Sequence, residues 1–579
     1  MNKDAIIAAF ENIARLLELK GENPFKIRAY TNAARALETL GEPLEKLLTE
    51  DRLESVDGIG RATAEKIAAL ARDGRLDYYD HLSDEFPPDI LSLFEIHGLG
   101  AKKIKALWDS LRIHSVTKLE RACQSGKVAG LPGFGEKTSA NILQAIGHHR
   151  KHAGEFRLGD IAGLAESLLE DLRNHPDVAL ARIAGSYRRQ KEIVRDLDFI
   201  VASRHPGAVS DFFSTHPLVD SVLAHGATKT SVILKSGIQC DLRVVTGKEF
   251  PFALAYFTGS KEHNVRIRSL ALARGWSLNE YRFSAAGGRE LKEPLPEIHE
   301  ENDIYRALGL DPVVPELRED RGEIEAAEAH RLPVLIERQN LRGTFHNHTS
   351  ESDGRATLEE MADAARELGM EYLGIADHSK SSPQAHGLDE KSLAAQVARI
   401  RSLSDSSLHL FAGTECDILK DGTLDFPDDI LASLDYVVAS VHSSFTLSEA
   451  EMTKRIIRAI SNPHVTMLGH LTGRLLLSRE GYRVDVPAVI EAAAATGTII
   501  ELNSNPRRLD MDWRWWPLAK EKGVKCSINP DAHSTAGLQD LAFGIGAARK
   551  GWLTKSDVIN TLPLEKVRPV LAAKRSRRG

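Results

Sequence analysis

Cysteine is scarce in this sequence: Cys123, Cys240, Cys416 and Cys526 are scattered over 579 residues with no CxxC pair. That argues against a disulfide framework and a cysteine zinc site, and it fits a reducing cytosol. Long apolar runs are missing too, so no segment is expected to span a bilayer and no membrane is expected as a partner. The opening stretch, MNKDAIIAAFENIARLLELKG, mixes apolar and charged residues at helical spacing. It lacks a signal-peptide core and reads as a first helix. An excess of positive charge is also absent, the formal net charge being −7. A sequence-blind polyanion binder would be basic. Contact with nucleic acid must therefore come from local devices, namely helix N-termini and a few placed cations. The short basic tail AAKRSRRG reads as a solvated end.

What is present is length, more than one hydrophobic core usually organises, so several domains are expected. Residues 1–150 look all-helical, and one pattern recurs three times: Val56-Asp57-Gly58-Ile59-Gly60, Ile96-His97-Gly98-Leu99-Gly100 and Leu131-Pro132-Gly133-Phe134-Gly135. Each copy follows an apolar helical segment and precedes a small-residue helix such as RATAEKIAAL or AKKIKALW. Two glycines around an apolar residue make a tight turn between helices, and the second helix starts with its N–H groups exposed to an anion. One GxG is no more than a glycine C-cap. Three in one context resemble helix-hairpin-helix motifs, which hold DNA backbone without reading sequence. That likeness puts Gly58, Gly60, Gly98, Gly100, Gly133 and Gly135 at DNA.

From about 151 to 318 the pattern turns to mixed α/β, with strands expected at ALARIAGS, RDLDFIVAS, TSVILKS and QCDLRVVT. Within RDLDFI, Asp196 and Asp198 are two apart on a strand and so face the same way. Adjacent carboxylates repel unless a cation lies between them. Asp241, in QCDLRVV, supplies a third, and three carboxylates on neighbouring strands suit two ions for in-line phosphoryl transfer. Eleven residues before Asp196 stands Gly185-Ser186-Tyr187-Arg188-Arg189, a turn offering N–H groups, a hydroxyl and arginine to a triphosphate.

The ordered set GS…DxD…D resembles the nucleotidyltransferase superfamily, and Tyr256-Phe257-Thr258-Gly259-Ser260 narrows the likeness to family X DNA polymerases over residues 1–318. The resemblance implies a helix-hairpin-helix region, a palm and a nucleotide-binding subdomain. It implies Mg²⁺ or Mn²⁺ on Asp196, Asp198 and Asp241, with Asp241 accepting the primer 3′-hydroxyl proton. Gly185, Ser186 and Arg189 would hold the β- and γ-phosphates. Tyr256, Phe257 and Gly259 would lie at the sugar, and Asn264 and Arg268 at the nascent pair and template. Lys66 stands where some family members carry a Schiff-base lysine for a 5′-deoxyribose phosphate. Arg61-Ala62 replaces a position where a lysine is often found, and a solvated lysine is the competing reading.

After a charged connector, residues 319–342, short strands and helices alternate. Strands are expected at GTFHNHT, EYLGIADHS, LHLFAGTECDI, DYVVASVHS, VTMLGHLT, GTIIELNS and KCSINPDAHS, a pattern of parallel βα units closing into a barrel. Nine N/O ligands fall at their ends: His346, His348, Asp353, His378, Glu415, His442, His470, Asp531 and His533. Imidazole with carboxylate suits zinc, manganese or iron, and the set is enough for two or three ions if Glu415 bridges. Such ions hydrolyse phosphate esters. The pattern resembles the PHP (polymerase and histidinol phosphatase) family over residues 343–579, whose fusions to family X polymerases are similar to 3′-exonucleases and AP endonucleases. Arg474 and Arg507 are candidates for the substrate phosphate; His386 and Asn503 are polar neighbours without a role.

The organisation expected is thus 1–85 and 86–150 helical, 151–247 palm, 248–318 nucleotide-binding subdomain, 319–342 linker and 343–579 a (β/α)7 PHP barrel. The function expected is gap-filling DNA repair synthesis with a second nuclease activity. It would act on gapped or primer-template DNA and dNTPs, as a monomer in the cytoplasm and nucleoid. The alternative is a nuclease whose polymerase half mainly binds DNA.

Overall fold

The computed structural model describes residues 3–38, 44–56, 58–96, 98–151, 154–286, 295–382 and 385–576. Asp57 and His97, inside two of the glycine motifs, and the end of the basic tail lie outside them. The chain divides into two compact units, Met1–Ala153 with Leu477–Arg479, and Gly154–Leu476 with Glu480–Gly579.

Every named element among the described residues of the N-terminal part of the first unit is a helix, and these pack around one core that includes Phe10, Ile13, Leu37, Ile67, Ile104, Leu107 and Ile146. The repeated motif is explained by that core. Its apolar centre (Ile59, Leu99 or Phe134) is buried, and the chain turns around it through a left-handed glycine with φ of 86°, 85° or 83° at Gly58, Gly98 and Gly133. Gly60 and Gly100 are extended N-caps of the helices Arg61–Asp73 and Ala101–Leu111, and both are exposed.

Early in the second unit come the helix Leu158–Asn174 and a five-stranded sheet of β1 (Val178–Ile183), β2 (Asp196–Ser203), β3 (Val219–His225), β4 (Lys229–Leu234) and β5 (Gln239–Val245). Their order is β1-β2-β5-β4-β3, with β2 and β5 parallel and the other neighbours antiparallel. Alternation in β2 sorts its residues. Leu197, Phe199 and Val201 enter the core shared with Leu168, Leu172 and Phe213; Ile200 and Ala202 enter a second core with Phe250, Ala253 and Leu254. Each of the larger of these buried side chains contributes about 2 kcal/mol. Asp196 and Asp198 share the second face at its open end. Strand β3 escapes the sequence pattern because it is an exposed edge strand with two irregularities in register, and Val222 and Leu223 do not alternate inward and outward.

The helix Phe250–Thr258 ends at Gly259 (φ 71°), and Ser260 caps the next helix, Lys261–Ala273, accepting from His263 N at 3.2 Å. Arg188 pins the following segment to the palm: its guanidinium forks onto Glu301 at 2.9 and 2.6 Å and donates to Thr258 Oγ1 at 2.6 Å.

The C-terminal part carries eight short parallel strands: β6 (Gly343–Thr344), β7 (Tyr372–Ile375), β8 (His409–Ala412), β9 (Glu415–Asp417), β10 (Val438–Ser440), β11 (Met467–Leu468), β12 (Ile499–Asn503) and β13 (Cys526–Asn529). They form a three-stranded sheet, β6-β7-β8, and a five-stranded sheet, β9-β10-β11-β12-β13. Isolated parallel bridges His378↔Glu415 and Asn347↔Ala532 link the two. The segment LHLFAGTECDI, expected as one strand, is two. Gly413 sits against the Tyr436 ring, where a Cβ would lie 2.4 Å from Cζ, and the run breaks there. The Tyr436 hydroxyl donates to Ile375 O at 2.9 Å and to Phe345 O, and its ring packs with Phe345 in an internal core that also holds Tyr372, Phe411 and Met467. No described helix is long and apolar enough to cross a membrane.

Candidate active sites

Pairing of β2 with β5 sets Asp198 directly opposite Asp241 and Asp196 opposite Gln239, whose amide donates to Asp241 Oδ1 at 3.2 Å. The pairing therefore brings the three carboxylates together. Burial, then Asp196 and Asp241, push Asp198 up to about 7; burial and Asp241 also raise Asp196. Carboxylates that raise one another in this way are a donor set for divalent cations, which would relieve the repulsion. Gly185 closes the site from beside: its φ is 64°, and a Cβ there would lie 2.4 Å from Asp198 Oδ2. Ser186 is part-exposed on the same short turn, Gly185–Arg188.

Arg189 is less open than expected. Its Nε donates to Glu319 Oε1 at 3.0 Å and its Nη1 to Thr258 O. Gly259 lies beside it with φ of 71°, a backbone that favours glycine, and a Cβ there would approach Arg189 Nη1 to 3.0 Å. Tyr256 and Phe257 contact edge-to-face at 5.1 Å between ring centroids, and Arg243 lies 4.1 Å over the Phe257 ring. Asn264 Nδ2 donates to Tyr256 O at 2.7 Å. Tyr256, Asn264 and Arg268 line one hollow with Asn279. In the first unit, Lys66 Nζ donates to Ala62 O at 3.0 Å and lies 5.5 Å from the Tyr78 ring.

The second site brings all nine expected ligands together, Glu415 at the start of β9 and the others in the segments that follow strands. Three clusters have ligand atoms within 4.8 Å of one another: His348, Asp353, His378 and His533; His346, His348 and Glu415; His378, Glu415 and His442. Glu415 is common to two of these. His470 Nε2 lies 2.8 Å from Glu415 Oε1, and Asp531 Oδ1 lies 3.1 Å from His348 Nε2. Burial would raise Glu415, yet His442, His346 and His378 hold it well below the usual carboxylate range. His346 Nε2, His348 Nδ1, Asp353 Oδ1 and His470 Nδ1 are buried with no hydrogen-bond partner. Buried imidazole nitrogens and a carboxylate oxygen left orphaned around a shared glutamate fit divalent metal.

Three residues that sequence reasoning missed support this ring. Glu501, fully buried within β12, accepts from His346 Nδ1 at 2.6 Å and from Asn529 Nδ2 at 3.0 Å. Asp417 bonds His442 Nδ1. Such partners fix which imidazole nitrogen faces a metal. Arg508, next to the proposed Arg507, has Nε 3.3 Å from Asp531 Oδ2 and Nη1 buried without a partner, whereas Arg507 is exposed. Arg474 braces a loop instead, bonding Asp512 Oδ2 at 2.6 Å, Arg508 O at 2.9 Å and Leu509 O. Asn503 holds Glu501 and Asp531 at 2.9 and 3.0 Å. His386 is exposed.

A carboxylate palm beside a glycine-serine turn, and a histidine-rich ring in a parallel βα architecture, define a nucleotidyltransferase joined to a metal-dependent phosphoesterase. Residues 1–76 match a helix-hairpin-helix domain, 90–147 a SAM-like helix-hairpin-helix tandem, 253–319 the DNA polymerase beta thumb and 344–505 the PHP domain. The chain is 39% identical over 575 residues, 99% of each chain, to the DNA polymerase/3′-5′ exonuclease PolX of Bacillus subtilis. It is 26% identical over 339 residues to DNA polymerase lambda of Rattus norvegicus, covering 53% of this chain and 54% of that one. It is 29% identical over 249 residues to a probable phosphatase of Thermoanaerobacter sp. (strain X514), covering 40% and 96%. The chain belongs to the family X DNA polymerases that carry a C-terminal PHP domain.

Proposed function

We propose that this chain fills short gaps in DNA with its palm and shortens 3′ ends with its PHP domain. The observation that carries this is the presence of two donor sets of different chemistry in one chain: three palm carboxylates paired across β2 and β5, and a histidine-rich ring around Glu415. In the palm, Asp196, Asp198 and Asp241 would hold Mg²⁺ or Mn²⁺, which when bound neutralises the triphosphate and lowers the cost of the 3′-oxygen's charge. Asp241 takes the primer hydroxyl proton. Ser186 and the free edge of Arg189 bind the β- and γ-phosphates, and Gly185 leaves the space that the Asp198 carboxylate needs. Tyr256 and Phe257 face the sugar, with Asn264 and Arg268 toward the pair and template. The helix-hairpin-helix glycines present backbone N–H groups to DNA phosphates.

In the C-terminal domain, read as a (β/α)7 barrel with β8 and β9 as one interrupted strand, the nine ligands would hold two or three Mn²⁺, Zn²⁺ or Fe ions. When bound, closely spaced ions activate water at neutral pH and clamp the phosphoryl group. Glu501 and Asp417 hold His346 and His442 in orientation, and Arg508 meets the phosphate. Incision at abasic sites would use the same ring. Lys66 is the candidate for 5′-deoxyribose phosphate removal, tested by borohydride trapping on an incised abasic duplex. The setting is the cytoplasm and nucleoid, as a monomer.

The test is extension and shortening of a labelled primer on a short-gap duplex, with dNTPs and Mg²⁺ or Mn²⁺. Asp196→Ala/Asp198→Ala should lose extension alone and His346→Ala shortening alone. Absence of extension by the intact protein with either ion would remove the polymerase reading and leave a nuclease that uses its palm to bind DNA.

A further inference from the structure

The helix Leu541–Lys550 begins eight residues after the ligand His533 and ends against the palm. Lys550, 1% exposed, donates from Nζ to Arg189 O at 3.0 Å and to Glu319 Oε1 at 2.5 Å. Glu319 Oε1 is the same oxygen that accepts from Arg189 Nε. One carboxylate is thus shared between a lysine of the PHP domain and the arginine assigned to the triphosphate.

The contact is built, not incidental. Gly546, on the same helix, leaves room for Gln190, whose Oε1 a Cβ would approach to 2.6 Å. Trp513 Nε1 donates to Glu192 Oε2 at 3.2 Å, and the Lys550 ammonium lies 4.7 Å over the Trp513 ring. The loop from Arg189 to Glu192 therefore rests on the C-terminal domain along its length. A buried ammonium is costly unless paired. Burial lowers the Lys550 pKa to about 8, with Glu319 opposing that shift, so the charge persists at neutral pH. Without it, Glu319 would be neutralised by Arg189 and by Lys191, which is 3.6 Å away. The guanidinium would then be drawn from an incoming nucleotide, and the Arg189 carbonyl would lose its anchor.

We propose that Lys550 is a positioning residue for the polymerase: it engages Glu319 and the Arg189 carbonyl so that the free edge of Arg189 faces the β- and γ-phosphates of the dNTP. The inference rests on the reading of Arg189 as a triphosphate ligand, and the experiment separates the two. Single-nucleotide gap filling is measured with the full chain, as wild type, Lys550→Met, Lys550→Arg and Arg189→Ala, alongside strand shortening and thermal melting.

Lys550→Met should raise KM for dNTP ~10-fold, the scale of one charge-assisted contact. Its kcat and shortening rate should stay within about twofold. Lys550→Arg should restore most of the loss. If Lys550→Met does not fold, Lys550→Gln, which keeps a donor without the charge, is read in its place. An unchanged KM in the lysine variant, with a raised KM in Arg189→Ala, overturns the role of Lys550 alone. An unchanged KM in Arg189→Ala overturns the assignment of the arginine and the inference with it. Parallel loss of extension, shortening and melting temperature shows mere structural support and overturns the positioning role.

Discussion

Gly185 and Asp198 occupy one space: a Cβ on the glycine would lie 2.4 Å from the aspartate's Oδ2, and the glycine's φ is 64°. Any side chain at 185 must displace a carboxylate expected to bind metal, and it pays about 1–2 kcal/mol for the left-handed backbone. Gly185→Ala should therefore lower extension ~100-fold or more, the scale of misplacing one group in an active site. Shortening should stay within about twofold. Comparable extension by the variant and wild type at saturating dNTP would show that Asp198 has another place to go.

Glu501 tests the second site from beneath. Glu501→Gln keeps the shape but removes the charge that His346 Nδ1 meets at 2.6 Å. Metal affinity of the PHP domain should fall ~10–100-fold, read by chelator competition. Extension should persist, and undiminished metal retention would count against the orienting role.

Two adjacent arginines provide a register test. Arg508→Ala should raise KM for strand shortening ~10-fold, because its Nη1 is buried without a partner beside Asp531. Arg507→Ala should leave it within about twofold, since that residue is exposed. The opposite ranking would return the phosphate contact to Arg507.

The stretch that matches the DNA polymerase beta thumb should carry a pH dependence. His263 is buried between Glu323 Oε1 at 2.7 Å and the Tyr305 hydroxyl at 2.9 Å, and burial lowers its pKa below 6.5. Burial alone would raise Glu323, but bonds from His263 and the Arg321 amide leave it below its usual value. Both groups bind protons less readily folded than unfolded. Their contribution is present above pH 6.5 and is lost as pH falls, first through His263 and then, below 4.5, through Glu323. Melting temperature should drop between pH 7.5 and 5, and His263→Gln should flatten that slope. An equal slope in both proteins would place the acid sensitivity elsewhere.

The clustering of the candidate site residues was legible because period-2 spacing puts paired side chains on one strand face, and because repetition in one context is rare by chance. Asp196 with Asp198 and His346 with His348 show the first, and the triple glycine motif shows the second. What supports them was not legible. Glu501 lies inside a strand, with no histidine beside it to mark a ligand end. Arg508 differs from Arg507 only by the turn at Asn505, which accepts from Arg507 N at 3.0 Å. The break at Gly413 is set by Tyr436, twenty-three residues later in the chain and unmarked in the local pattern. Glu319, read as part of a charged connector, is a partner of Arg189 and Lys550. Such long-range contacts follow from packing, which local periodicity does not encode.

The helix Leu541–Lys550 has a bearing on how this architecture is inherited. A domain swap that imported a foreign PHP module would bring its own residues at 513, 546 and 550 against a palm loop shaped for Trp513, Gly546 and Lys550. On the proposed role of Lys550, a bulkier residue at 546 or an acid at 550 is expected to weaken nucleotide binding in a half whose own sequence had not changed. The two catalytic halves are therefore expected to travel through descent as a matched pair, with substitutions in the Arg189–Glu192 loop answered on that helix.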